Sequence, residues 1–255
     1  ELLKELIENE SSNTKVHFEE DDGALFLKAA SLLRPHDVMV IKWPKKRQVG
    51  ELITKLEESP PNNQVIINFA TIQANLEAIR KKIGANNRLM VMAKALAYGT
   101  DDVRLSKFLP SVGIDIIGLS YVDEAVQMRK AGVTSDLFVL NAAPYEAKKA
   151  VTWNLEVAVS DMTLIRMLEE EAKKQNKVMK LHLHVDTGMC RFGCRPEEVV
   201  ALAQYIARSK QLALEGLMTH LAAADDPTED TFTELQFHRL EELVKKLDIE
   251  GIHPR

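Results

Sequence analysis

The chain has 255 residues, 45% hydrophobic and 28% charged, which suffices for one large α/β domain or a domain plus a fragment. A formal net charge of −5 disfavours nucleic acid and anionic membranes as partners. No apolar run reaches about 18 residues, and the charged opening ELLKELIENE has no signal-peptide core, so neither a transmembrane helix nor a leader is expected.

Residues 1–58 contain a helix-like run Gly23–Leu33, a turn Pro35-His36-Asp37, a strand-like run Val38–Ile41 and a helical run Val49–Leu56. This small α/β segment is too short for a good core of its own. Residues 59–63 (Ser-Pro-Pro-Asn-Asn) read as a linker. From residue 64 to 255 strand and helix signals alternate. Strand-like runs fall at Val65–Phe69, Leu89–Ala93, Asp115–Leu119, Leu137–Leu140, Leu155–Val159, Met179–Asp186 and Leu212–Thr219. Helical periods lie between them, among them Ile72–Ile83, Asp102–Phe108, Met162–Lys174 and Thr231–Leu247. Such alternation with right-handed crossovers gives a parallel sheet. Without a Gly-x-Gly-x-x-Gly after the first strand, it favours a (β/α)8 TIM barrel over a dinucleotide fold. An eighth strand is expected to begin at Ile249.

Active sites of such barrels form at the C-terminal ends of the strands. Three chemically useful residues fall there: Lys94 after Leu89–Ala93, Arg191 after Met179–Asp186, and His220 after Leu212–Thr219. A lysine at the mouth of a buried strand is partly desolvated, which disfavours its charge and makes the amine a usable Schiff-base nucleophile. Arg191 offers a planar fork of donors. His182, His184 and Asp186 share one strand face and admit a metal-site reading, as do Cys190 and Cys194 with a histidine. The two cysteines make no disulfide framework and suggest a reducing, cytoplasmic setting.

Four ordered stretches resemble alanine racemases: Ile66-Ile67-Asn68-Phe69 with Ala74-Asn75-Leu76, Lys94-Ala95 with Ala97-Tyr98-Gly99, His184 through Gly193 (HVDTGMCRFG), and Gly216 through Ala222 (GLMTHLA). The resemblance implies a pyridoxal 5'-phosphate (PLP) enzyme that interconverts L- and D-alanine for peptidoglycan synthesis. It implies that Lys94 holds PLP as an imine and is one of two bases. It further implies that Arg191 meets the substrate carboxylate and the cofactor's phenolic oxygen, that Tyr98 meets the phosphate, and that His220 lies against the ring. In that family the barrel counts from Leu89, and residues 64–255 make it incomplete at its C-terminal end. The second base, a tyrosine of a C-terminal domain of the partner subunit in a homodimer, is expected beyond Arg255; Tyr121, Tyr145 and Tyr205 match no part of its motif. The sequence departs from the family at Leu96 (usually Asn), at Thr100-Asp101 (usually His-Gly), at Cys190, and at His184, where many members carry a lysine that supports the arginine.

Residues 1–58 resemble the end of the C-terminal domain of the Mur ligases that add D-alanyl-D-alanine, through Phe18-Glu19, Ala24-Leu25, Leu32-Leu33, Asp37-Val38 and Val40-Ile41-Lys42. The Lys-Gly-Ser-Arg signature has decayed at Trp43-Pro44-Lys45, and without the ATP-binding loop and central domain of such a ligase this segment is not expected to be a working ligase. The order fits a ligase–racemase fusion truncated at both ends. Two other readings are a PLP-binding barrel that does not racemise (a PLP carrier, decarboxylase or aldolase relative) and an inert fragment lacking the second base.

Overall fold

The protein is described by a computed structural model over residues 28, 31, 32, 66–84 and 86–254. The chain divides into two units, Glu1–Ile66 and Ile67–Arg255. In the first, residues 28, 31 and 32 are helical, within the run read as helix from Gly23 to Leu33. The rest of the ligase-like segment and the linker at 59–63 lie outside the described residues.

The second unit opens with helix α1, Phe69–Ile83, which contains the helical period Ile72–Ile83, whereas the strand expected over Val65–Phe69 is not formed at its described residues 66–69. The apolar run Val-Ile-Ile imitates a buried strand. Asn68 overrides it: its Oδ1 accepts from the N–H of Ala70 (3.0 Å) and Thr71 (3.3 Å), satisfying donors that a helix start leaves orphaned. Helix α1 packs through Phe69, stacked 4.7 Å from Phe108, and through Arg80, whose Nη1 donates to the Val112 carbonyl at 2.6 Å.

Six strands follow: β1 Met90–Met92, β2 Ile116–Tyr121, β3 Asp136–Asn141, β4 Glu156–Val159, β5 Met179–His184 and β6 Leu212–Met218. They pair in parallel in strict chain order, β1-β2-β3-β4-β5-β6. The order never reverses, which separates this sheet from doubly wound folds and makes it the consecutive wall of a (β/α) barrel. Helices α2 Asp102–Phe108, α3 Val122–Lys130, α4 Ala147–Thr152, α5 Met162–Lys174 and α6 Val199–Arg208 lie in the five connections, and α7 Asp230–Ile249 follows β6. Ile249 ends α7, so the eighth strand expected there is not formed. Leu243 and Leu247 form the buried stripe of this helix, and Ile249, two residues on, lies off that stripe and is exposed.

Alternate strand residues separate two cores. Ile117, Leu119, Leu137, Val139, Val157, Leu181 and Leu183 point outward and are sealed by helix residues such as Leu109, Met128, Ile165, Leu168 and Ile206. Each such side chain contributes about 1.5–3 kcal/mol of burial. The alternate set, Ile116, Phe138 and Ala158 with Met90, Leu140 and Met218, points into the barrel. Near the N-terminal ends of the strands that inner face turns polar: buried Glu156 meets Lys180 Nζ at 2.9 Å and His182 Nε2 at 2.7 Å, and Lys180 reaches Asp136 at 3.5 Å. The β5–β6 ladder shifts register at Leu181/His182, so that His182 pairs with Gly216 and His184 with Met218. Among the described residues no helix is long and apolar enough to cross a membrane.

Candidate active site

The C-terminal ends of β1, β2, β5 and β6 surround a cavity of about 230 Å³. Its lining includes Lys94, Ser120, His184, Arg191, Thr219 and His220. Three of the four site residues read from the sequence thus meet here. The fourth, Tyr98, lies on the same turn as Lys94 but is 65% exposed and stands outside this lining.

Lys94 begins a turn that the sequence did not reveal. Ala95, Leu96, Ala97 and Tyr98 all have φ between 51° and 58°, one turn of left-handed helix. Its bonds run from Ala97 N to Ala93 O (3.2 Å) and from Thr100 N to Leu96 O (3.1 Å). Left-handed helix costs an L-residue roughly 1–2 kcal/mol, so four in a row persist only where surrounding contacts impose them. Ala97 is buried at 2% exposure. Glu124, in the first turn of α3, supplies the other hold. One carboxylate oxygen accepts from Ala95 N at 3.0 Å; the other accepts from Ser120 N (2.7 Å) and Tyr121 N (3.3 Å). One carboxylate therefore ties the residue after Lys94 to the end of β2. Leu96 is 67% exposed and gains no comparable support. Leu96→Gly is expected to raise stability by about 1 kcal/mol, read from the urea midpoint; a decrease would show that the leucine side chain itself holds the turn.

Arg191 sits on a loop folded back on β5. Asp186 Oδ1 accepts from Gly188 N (2.9 Å) and Cys190 N (3.0 Å). The loop closes through Asp186 N to Cys194 O and Cys194 N to His184 O, each 2.9 Å. Gly193 permits this closure: its φ is 111°, and an added Cβ would lie 2.5 Å from Asp186 N. Burial works against the Asp186 charge, but the donated backbone N–H groups of Cys190 and Gly188 overcome it and hold the carboxyl below its ordinary range. Cys190 is exposed at φ 57°, while Cys194 is in the hydrophobic core, where burial pushes its thiol up to about 12. The pair is thus divided between surface and core. The metal reading of β5 is also undone, because His182 Nε2 is engaged by Glu156, below the cavity. Among the described residues no group of three His, Cys, Asp or Glu side chains is placed to hold a metal ion.

His184 is buried at the cavity floor. Burial first, then the nearby His220 and Arg191, lower its pKa below 6.5, with Asp186 opposing. His220 is lowered by desolvation, then by Arg191 and Lys94. Both imidazoles are therefore neutral near pH 7. Unfolding restores the ordinary value of 6.5, so between that value and the lowered one the unfolded chain binds more protons, and stability falls as pH falls. Urea midpoints at about pH 8 and about pH 5.5 should show a larger acid loss for the wild type than for His184→Gln; equal losses would remove His184 from this account.

The fold and site define a (β/α) barrel that brings a lysine, an arginine and a histidine to one rim from three strands. Residues 67–255 match the family model "Alanine racemase, N-terminal domain", and the chain belongs to that family. It is 34% identical over 189 residues to an alanine racemase of Symbiobacterium thermophilum, covering 74% of this chain and 50% of that protein. It is 33% identical over 194 residues to one of Treponema denticola, covering 75% and 51%. A solved alanine racemase of Clostridium difficile 630 superposes with a TM-score of 0.71 at 25% identity, covering 74% of this chain and 52% of that one. The chain spans about half the length of these relatives.

Proposed function

We propose that this chain is the PLP-binding barrel of an alanine racemase, acting on L- and D-alanine. The observation that carries it is the meeting of Lys94, Arg191 and His220 at one cavity from the ends of β1, β5 and β6. That donor set suits the cofactor: a primary amine for its aldehyde, a guanidinium for its phenolic oxygen, and a neutral imidazole for its ring. Bound PLP supplies an electron sink for the charge left when an α-proton is removed.

The chain's own residues supply the rest. Lys94 would hold the cofactor through Nζ, and the Nζ lone pair would be the base that takes the α-proton on one face. Arg191 aims two parallel donors at the substrate carboxylate. Tyr98, at the open end of the left-handed turn, offers its hydroxyl to the phosphate. The base for the opposite face is not assigned among the described residues; we infer that a partner subunit of a homodimer brings it. We also read residues 1–58 as the remnant of a Mur ligase, on the paired motifs Phe18-Glu19 to Lys42, which would set the enzyme in cytoplasmic peptidoglycan synthesis.

The test is to add PLP, reduce with borohydride and map the labelled peptide, then assay D-alanine formation by the full chain. Label on Lys94 with racemisation is expected. Label without racemisation would favour the non-racemising PLP barrel. A folded full chain that fails to label Lys94 would overturn the reading.

A further inference from the structure

Helix α7 returns from β6 across the rim and brings one face, Phe232, Gln236 and Arg239, against the loops that carry Arg191 and His220. Gln236 is completely buried, at 0% exposure. Its amide makes three bonds. Oε1 accepts from Ala222 N at 2.9 Å, and Nε2 donates to His220 O at 3.1 Å and to Thr187 Oγ1 at 3.2 Å.

The neighbouring hydroxyls fix the direction of each bond. Thr219 Oγ1 donates to Val185 O at 2.9 Å, which spends its one proton. In the 2.8 Å contact between Thr187 and Thr219 the proton therefore comes from Thr187. The Thr187 oxygen is left as acceptor for Gln236. A flipped amide would aim its oxygen at the His220 carbonyl and its N–H2 at the Ala222 N–H, so the orientation is unique.

Two other α7 residues press on the same loop. Arg239 Nη1 donates to Thr187 O at 2.6 Å. Gly188, at φ 142°, leaves room where a Cβ would come within 2.9 Å of the Phe232 ring and 3.0 Å of Arg239 Nη1. The Arg191 loop is thus gripped three and four residues before Arg191, at Gly188 and Thr187, and the His220 loop at His220 itself. Gln236 bonds both loops from outside them, beside the direct Thr187–Thr219 contact.

We propose that Gln236 is a positioning residue that sets the Arg191 and His220 loops relative to each other. It lies behind the loops and outside the cavity lining. It fixes the spacing of two groups that, on the reading above, hold the same ligand, so the inference rests on that reading. A loose clamp leaves each loop intact but lets their separation wander, and displacements of about 1 Å at such a site cost about 100-fold.

The experiment uses the full chain, with PLP as probe. Gln236→Leu keeps the volume and removes all three bonds. PLP affinity is read from the yield of borohydride-fixed Lys94 label against PLP concentration; kcat and KM for L-alanine are measured alongside, with thermal melts to register folding. We expect Lys94 still to be labelled, PLP to bind about 10- to 100-fold more weakly, and kcat to fall. A variant that melts lower but binds PLP and turns over like the wild type would show a structural role and overturn the inference. Should Gln236→Leu fail to fold, Thr187→Val and Thr187→Ser decide: loss of affinity in the first with recovery in the second supports the clamp, and wild-type behaviour of Thr187→Val overturns it. Absence of label in the wild type would instead be a failure of the PLP reading, and the two failures are thereby distinguished.

Discussion

Lys94→Ala is expected to abolish the borohydride-fixed PLP label and to lower racemisation by the full chain by at least about 10⁴-fold, the upper range for a positioned acid–base group. Folding should survive. Lys94 is half-buried and its side chain makes no hydrogen bond among the described residues, so the change belongs with substitutions of about 0.5 kcal/mol or less. The left-handed turn persists because its holds lie elsewhere, in Ala97 and in the Glu124 carboxylate on the Ala95 N–H. Lys94→Arg sharpens the result. It keeps charge and length, but a guanidinium does not deprotonate in proteins and forms no imine. Equal loss in both variants, at unchanged melting temperature, would assign the effect to the amine. Residual label on another lysine in Lys94→Ala would place the cofactor elsewhere.

How much of this was legible in the residues can be judged element by element. β1 to β6 were readable because both faces of a parallel sheet are buried and its strands become short apolar runs between turn residues. Helices α2 and α5 begin and end where their periodicity does, at Asp102–Phe108 and Met162–Lys174. Val65–Phe69 misled, because the strand-like run contains a capping asparagine, Asn68, whose effect depends on the backbone N–H groups of Ala70 and Thr71 just beyond it. The left-handed turn was hidden, since alanine and leucine carry no local signal for φ > 0. Its one hint was the turn-permitting Gly99. Lys94, Arg191 and His220 were legible through motif resemblance together with strand ends. Glu124 was visible as an acidic residue in a first helical turn, without its reach to Ala95. Gln236 gave no signal, because its role arises only where α7 closes on two loops far away in sequence.

Below the cavity rim, the inner polar cluster carries the larger stability cost. Glu156 is 6% exposed, and each of its oxygens is engaged, one by Lys180 at 2.9 Å and one by His182 at 2.7 Å. Glu156→Ala strands both donors and leaves a void beside Phe138, whose ring stands edge-on to His182 at 4.9 Å. Removing one member of a buried ion pair costs roughly 3–5 kcal/mol. Lys180 is 45% exposed and can recover water, so the lower end, about 3 kcal/mol, is expected in urea unfolding near pH 7. Burial opposes the Glu156 charge, but the hydrogen bonds from His182 and Lys180 outweigh it and hold the carboxyl below its ordinary value of 4.5. A depressed folded value means that this stability is present above 4.5 and is lost as pH falls through the folded value. Glu156→Gln, which keeps the shape and lacks the charge, should therefore lie below the wild type near pH 7 and converge on it in acid. A gap that stays constant down to about pH 3 would mean that packing, not charge, is what Glu156 contributes.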